Sequence, residues 1–140
     1  MKRWLWALLA ALLAVTALLG VLWSREARWS RADYCLETSG QVWGVAPVPA
    51  GATATCPASQ TVRGEVRRGV TRVEQYELSG WQPAPVLDAL TAGGYAVLSR
   101  IPDDGIQEAA VLNGHGEQLT YVADRLDGNT LVTITARGEH

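Results

Sequence analysis

The hydrophobic pattern divides the chain into one unbroken apolar block and a longer alternating remainder. Residues 4–23, WLWALLAALLAVTALLGVLW, carry no charge and a single hydroxyl, Thr16. As an α-helix such a run spans ~30 Å, the thickness of a bilayer's hydrocarbon core. Trp4, Trp6 and Trp23 mark its two ends, where amphipathic rings favour the headgroup region. A core helix apolar on every side needs a wide protein interior, which the rest of this chain is too short to build. The pattern therefore predicts a membrane anchor over 4–23 behind a short tail, 1–3. Residues 24–33, SREARWSRAD, form a polar stem in which Arg25, Arg28 and Arg31 recur every third position on one helix flank. Interfacial anchoring is the expected role of these arginines, with a specific anionic-lipid site as the alternative. The apolar run exceeds the ~7–15 residues of a signal-peptide core, and a cut after Val15-Thr16-Ala17 would strand LLGVLW. An uncleaved anchor is thus expected over a secreted, processed chain.

Beyond the stem, residues 34–60 show neither strand nor helix period. Residues 61–67, TVRGEVR, read as a strand, Arg68-Gly69 as a turn, and 70–78 as a second strand. Arg63, Arg67, Arg68 and Arg72 interleave with Glu65, Glu74 and Glu77. That spacing predicts a cross-strand charge ladder on a solvated sheet face, with a basic patch as the alternative. Pro83 and Pro85 open a short helix that places Val86, Leu87, Leu90 and Thr91 at helical spacing and stops at Gly93-Gly94. Four strands follow, 95–100, 106–112, 118–125 and 130–137, punctuated by Asp104-Gly105, Asn113-Gly114-His115-Gly116 and Asp127-Gly128. Alternation puts Leu119, Tyr121, Ala123, Val132, Ile134 and Ala136 on the core face, with Thr133 and Thr135 opposite. The expected fold is α+β: an N-terminal transmembrane helix, then a small antiparallel sheet packed on one short helix over 61–137, ending in a tail, 138–140.

Charge leaves the topology open, and the cysteines help to decide it. The 140-residue chain has a net charge of -2. Residues 1–33 hold five basic against two acidic side chains, and residues 34–140 hold seven against twelve. This suits a membrane-proximal stem before a mildly acidic body, and the lack of basic excess argues against nucleic acid. Basic residues flank the apolar run on both sides, so they leave its orientation undecided. Cys35 and Cys56 enclose LETSGQVWGVAPVPAGATAT, a segment too poor in large apolar side chains to order itself by burial. A disulfide closing it would contribute ~3 kcal/mol. Two cysteines alone lack a zinc ligand set, and no Cys-x-x-Cys is present. A pair of reduced thiols is the alternative. A disulfide implies an oxidising compartment, which places the C-terminal body outside the cytoplasm.

Residues with catalytic potential are scarce. Lys2 is the sole lysine and no Gly-rich phosphate loop precedes it. His115 lies in a turn, and His140 is the last residue. Asp103, Asp104 and Asp127 read as turn formers and Asp124 as a solvated strand residue, not as calcium ligands. Glu108 and Glu117 flank one hairpin. No catalytic residue, cofactor or metal site is expected. Trp43 and Trp81 are the apolar outliers, either staples of the core or contacts for a partner. Residues 90–128, with their helix end, Gly94-Tyr95 and two strands closed by glycine turns, resemble PepSY-type modules. The expected function is a non-enzymatic binding or assembly module of a bacterial-type cell envelope, with membrane lipid and an envelope protein as partners. The resemblance implies an alternative, an inhibitor or regulator of an envelope enzyme. An enzyme without a recognisable motif is the remaining class.

Overall fold

A computed structural model describes residues 2–138, with side chains from Trp4 onward; His140 lies outside them. The chain falls into two compact units, residues 1–34 and 35–140. The first is dominated by one helix, α1 (Lys2–Arg28). Within Trp4–Arg28 an 18-residue window has a mean hydropathy of 2.5, and the helix is long and apolar enough to cross a membrane. Leucines, Trp4 and Trp23 stand exposed along it. The hydroxyl of Thr16 donates back to the Leu12 carbonyl at 3.0 Å, so it carries no unmet polar group into the apolar run. The helix continues past the apolar block through Arg25 and Arg28 and then gives way to turns, with the Arg28 guanidinium 5.4 Å from the Trp29 ring centre.

The second unit begins with a small two-stranded hairpin, β1 (Gln41–Val42) and β2 (Ala46–Pro47). Then come β3 (Ala52–Thr55), α2 (Gln60–Arg67), β4 (Thr71–Leu78), α3 (Ala84–Ala92), β5 (Ala96–Ile101), β6 (Gln107–Gly114), β7 (Glu117–Leu126) and β8 (Asn129–Arg137). The main sheet is antiparallel throughout, in the order β3-β4-β8-β7-β6-β5. Its last four strands are a continuous meander. Two of the connecting turns, His115-Gly116 and Asp127-Gly128, hold both central residues at positive φ, the geometry that matches strand twist in a two-residue hairpin. The first of these turns directly follows Asn113-Gly114, which is itself the end of β6.

The inner face of the sheet is the core. Tyr76, Leu78, Leu112, Leu119, Tyr121, Ala123, Val132 and Ile134 are buried there with Val86, Leu87 and Leu90 of α3. The six core positions expected on β7 and β8 are all buried, and Thr133 and Thr135 lie on the opposite face. Thr91 is exposed rather than packed, its hydroxyl donating to the Asp88 carbonyl. α3 ends where Gly94 takes a φ of 101° and the Tyr95 amide closes onto the Leu90 carbonyl. The Tyr121 hydroxyl donates to the Pro83 carbonyl and ties the start of α3 to the sheet.

One expected strand is a helix. Residues 61–67 lie within α2, capped by the Ser59 hydroxyl, which accepts from the Val62 amide at 3.4 Å. Val62 and Val66 are four apart, a spacing that fits a helix turn as well as a strand. The cap and the Gly69 stop, at a φ of 70°, settle it. The charge ladder therefore does not form: Glu65 rides on α2, and Glu74 turns into the core.

Candidate functional site

The densest polar arrangement is built around Trp43. Trp43 and Gly44 form a tight turn with φ of 53° and 71°, closed by the Val45 amide on the Val42 carbonyl. A bulky residue at positive φ is unfavourable and persists only where its surroundings hold it. Three contacts do so here. Its amide donates to Glu74 Oε2 at 2.8 Å, and its indole Nε1 donates to Glu117 Oε1 at 2.7 Å. The Arg72 guanidinium lies 4.0 Å from the indole centre, a cation–π contact. Arg72 in turn reaches Glu74 Oε1 at 3.3 Å and Glu37 Oε2 at 3.4 Å. Because Arg72 and Glu74 are on β4 and Glu117 on β7, the indole bridges across β8, where the small Ala136 stands opposite Arg72.

Two tyrosines complete this lattice. The Tyr76 hydroxyl donates to Glu74 Oε2 at 2.6 Å, and the Tyr95 hydroxyl donates to Glu117. Burial pushes both phenols well above their usual value, and the neighbouring carboxylates push them further. His115 tilts against Tyr95 with ring centres 5.0 Å apart, and its Nε2 lies 2.8 Å from the Gly93 carbonyl. Apart from Arg72 Nε, which is buried with no hydrogen-bond partner, these groups bond one another and so pin the cysteine-bounded segment to the sheet. Cys35 and Cys56 are joined, with Cα atoms 5.7 Å apart. From the sequence, Arg72 and Glu74 enter only as members of a charge ladder or basic patch, and Tyr76 and Tyr95 carry no site signal; the indication lies in the strand parity, which places Glu74 on the same face as Tyr76 and Leu78.

The remaining sequence candidates are scattered. Trp81 is half-buried at the edge of the core, its Nε1 donating to both oxygens of Asp103 at 2.9 and 3.0 Å. Asp104 accepts from the amides of Gln107 and Ile106, which hold its carboxyl below the usual range. Both aspartates thus organise the β5–β6 turn. Glu108 is buried against Arg100, whose Nη2 lies 2.6 Å from Glu108 Oε1 as an ion pair outside hydrogen-bonding angles. Trp4, Trp6 and Trp23 and the stem arginines Arg25, Arg28 and Arg31 belong to the first unit.

Two surface features remain. The ladder between β7 and β8 ends at Thr120 opposite Thr135, although both strands run on. The resulting fork opens a polar groove of about 860 Å³ lined by Thr71, Gln118, Thr120, Thr135 and Arg137, with Glu117 at its inner side. The second feature is apolar. Six large hydrophobic residues are exposed among the described residues of the second unit, and five lie on β5, its turn and the end of β7. They are Val97, Leu98, Ile101, Ile106 and Leu126. Every residue of β5 is exposed, and β5 is an edge strand, so one side of its backbone has no ladder partner.

No family model, curated protein or solved structure matches this chain. The likeness of residues 90–128 to PepSY-type modules accordingly rests on those residues alone.

Proposed function

We propose that this protein is a non-enzymatic assembly module of a bacterial-type cell envelope, held by α1 in the cytoplasmic membrane with residues 35–140 outside the cytoplasm. The observation that carries the reading is the β5 edge. An exposed edge strand bearing large apolar side chains is a template for one more strand from a partner polypeptide. Main-chain bonds along β5 would supply affinity, and Val97, Leu98 and Ile101 would supply the contact area. The Trp43 lattice supports the same reading. It spends its charged and aromatic groups on rigidity, and a rigid sheet presents its edge without ordering costs on binding. The disulfide suits an oxidising compartment, and the apolar helix suits a single span.

A photo-crosslinking residue placed singly at Leu98, Ile101 and Thr133 in membranes tests the docking surface. Adducts to polypeptide are expected from Leu98 and Ile101 and not from Thr133, which faces the middle of the opposite sheet surface. Equal labelling from all three positions, or none from the edge pair, would refute the edge as the working surface.

A further inference from the structure

We infer that the strand added to β5 comes from a second copy of this chain, giving a two-fold dimer with one sheet continuous across the axis. This rests on the edge reading above and adds the identity of the occupant.

The first argument is that the two edges are unequal: β5 is the longer and carries the exposed large apolar side chains. The other edge, β3, has four residues and runs straight into Cys56. There the Cys35 amide donates to Cys56 Sγ at 3.0 Å, so the disulfide-bonded chain is seated against the end of that strand. Pairing of β5 with β3 would propagate head to tail into fibres, whereas pairing of β5 with β5 closes at two copies.

The second argument is geometric. Val97 and Arg100 stand opposite Leu112 and Ala110, both buried, so they face the inner side. Ala96 and Ile101 stand opposite Asn113 and Ala109 and face the outer side. The bulge between Val97 and Ser99 produces this arrangement by shifting the alternation midway along the strand. An axis between Leu98 and Ser99, normal to the sheet, then pairs Val97 with Arg100 and Ala96 with Ile101 of the second copy. Each pair shares a face, which an antiparallel ladder requires.

Charge agrees. Arg100 is the sole charge on β5 and is matched by Glu108 of its own chain. In this register the two Arg100 side chains lie roughly 10 Å apart along the strands, three residues at the strand rise. Asp103 and Asp104 of the two copies fall at opposite ends of the pair. Val97, Leu98 and Ile101 expose roughly 300 Å² per copy along the paired strand, and the covered main chain adds to this, so the two copies share a small interface. Anchored helices would further confine the copies to one membrane plane and raise their effective concentration.

The test uses the full chain in detergent and in bilayers. Light scattering after size exclusion should give two copies per particle at tens of micromolar protein. Leu98→Arg should raise the dimer dissociation constant at least tenfold while leaving the circular dichroism spectrum and melting temperature unchanged, because Leu98 is exposed in the single chain. Ser99→Cys in membranes should form a covalent dimer under mild oxidation, and Thr53→Cys on β3 should not. A monomeric full chain, or a dimer that survives Leu98→Arg, overturns the self-pairing. If the chain is monomeric yet the Leu98 and Ile101 crosslinks persist to a different polypeptide, the occupant is wrong and the edge reading stands. If those crosslinks are also absent, both fall.

Discussion

Glu74 sets the behaviour of its neighbourhood. A carboxylate with no solvent exposure is tolerated because it accepts from the Trp43 amide, the Tyr76 hydroxyl and Arg72 at once. Trp43→Ala should therefore destabilise the fold by about 3 kcal/mol or more, since it empties a core position and releases the Arg72 stack together. Denaturant unfolding at neutral pH checks this; a loss under 1 kcal/mol would mean that the indole is a replaceable cover. The tyrosines give a pH signature. Tyr76, Tyr95 and Tyr121 keep their protons in the folded chain well above the pH at which an unfolded phenol ionises, ~10. Raised folded values mean that this contribution is complete below pH ~10 and is lost as pH climbs above it. Thermal melts between pH 7 and 11 should be flat in this respect until about pH 10 and then fall. Tyr121→Phe, which has no phenol to ionise, should soften that fall. At this scale the sequence was informative about types and poor about partners. Trp43 stood out as the large side chain in a thin segment, but its link to Glu117 crosses 74 positions of chain. No local spacing encodes such a pairing.

Strands with strong alternation and glycine turns were legible, and the ambiguous seven-residue stretch was not. Residues 118–125 and 130–137 correspond closely to β7 and β8, because apolar positions at every second residue leave one face for the core. Val132→Asp tests that register. It would bury an unpaired charge beneath α3 and should cost several kcal/mol, enough to abolish cooperative unfolding. Leu131→Asp, one position along and on the half-exposed face, should be far milder. Reversed severity would show that the strand has slipped by one. α2 escaped because Val62 and Val66 satisfy both periods and because Ser59, the residue that caps it, lies outside the window read as a strand. The edge position of β5 escaped for a different reason. A strand's composition records what it packs against, whereas its place in the sheet depends on which strands pair. Here β4 takes the position beside β8 and leaves β5 at the far side.

Across the whole molecule, the two units place different demands on their surroundings. The second has a closed core and a disulfide spanning 21 positions, which contributes about 3 kcal/mol by restricting the unfolded chain. The first exposes Trp4, Leu5, Trp6, Trp23 and every leucine between, an apolar surface of the kind a bilayer covers. The proposed topology links these demands: the helix stays in lipid, and the disulfide forms on the oxidising side. Arg25, Arg28 and Arg31 then lie at the outer headgroups, against the usual inward bias of basic residues. The export of the folded unit is what this arrangement must secure, so the cysteines and the helix make a joint prediction. In cells whose outer layer has been made permeable, added protease should remove residues 35–140 and leave a membrane-embedded fragment. The released unit should run as a single species that shifts on reduction. Protection of the unit until the inner membrane is lysed, together with two free thiols, would invert the topology. Recovery of the intact unit in the soluble fraction before protease is added would instead mean that the apolar helix is cleaved. Cys35→Ser with Cys56→Ser separates location from stability: it should lower the unfolding free energy by about 3 kcal/mol without moving the chain out of the membrane, because the loop closure and the apolar span act independently.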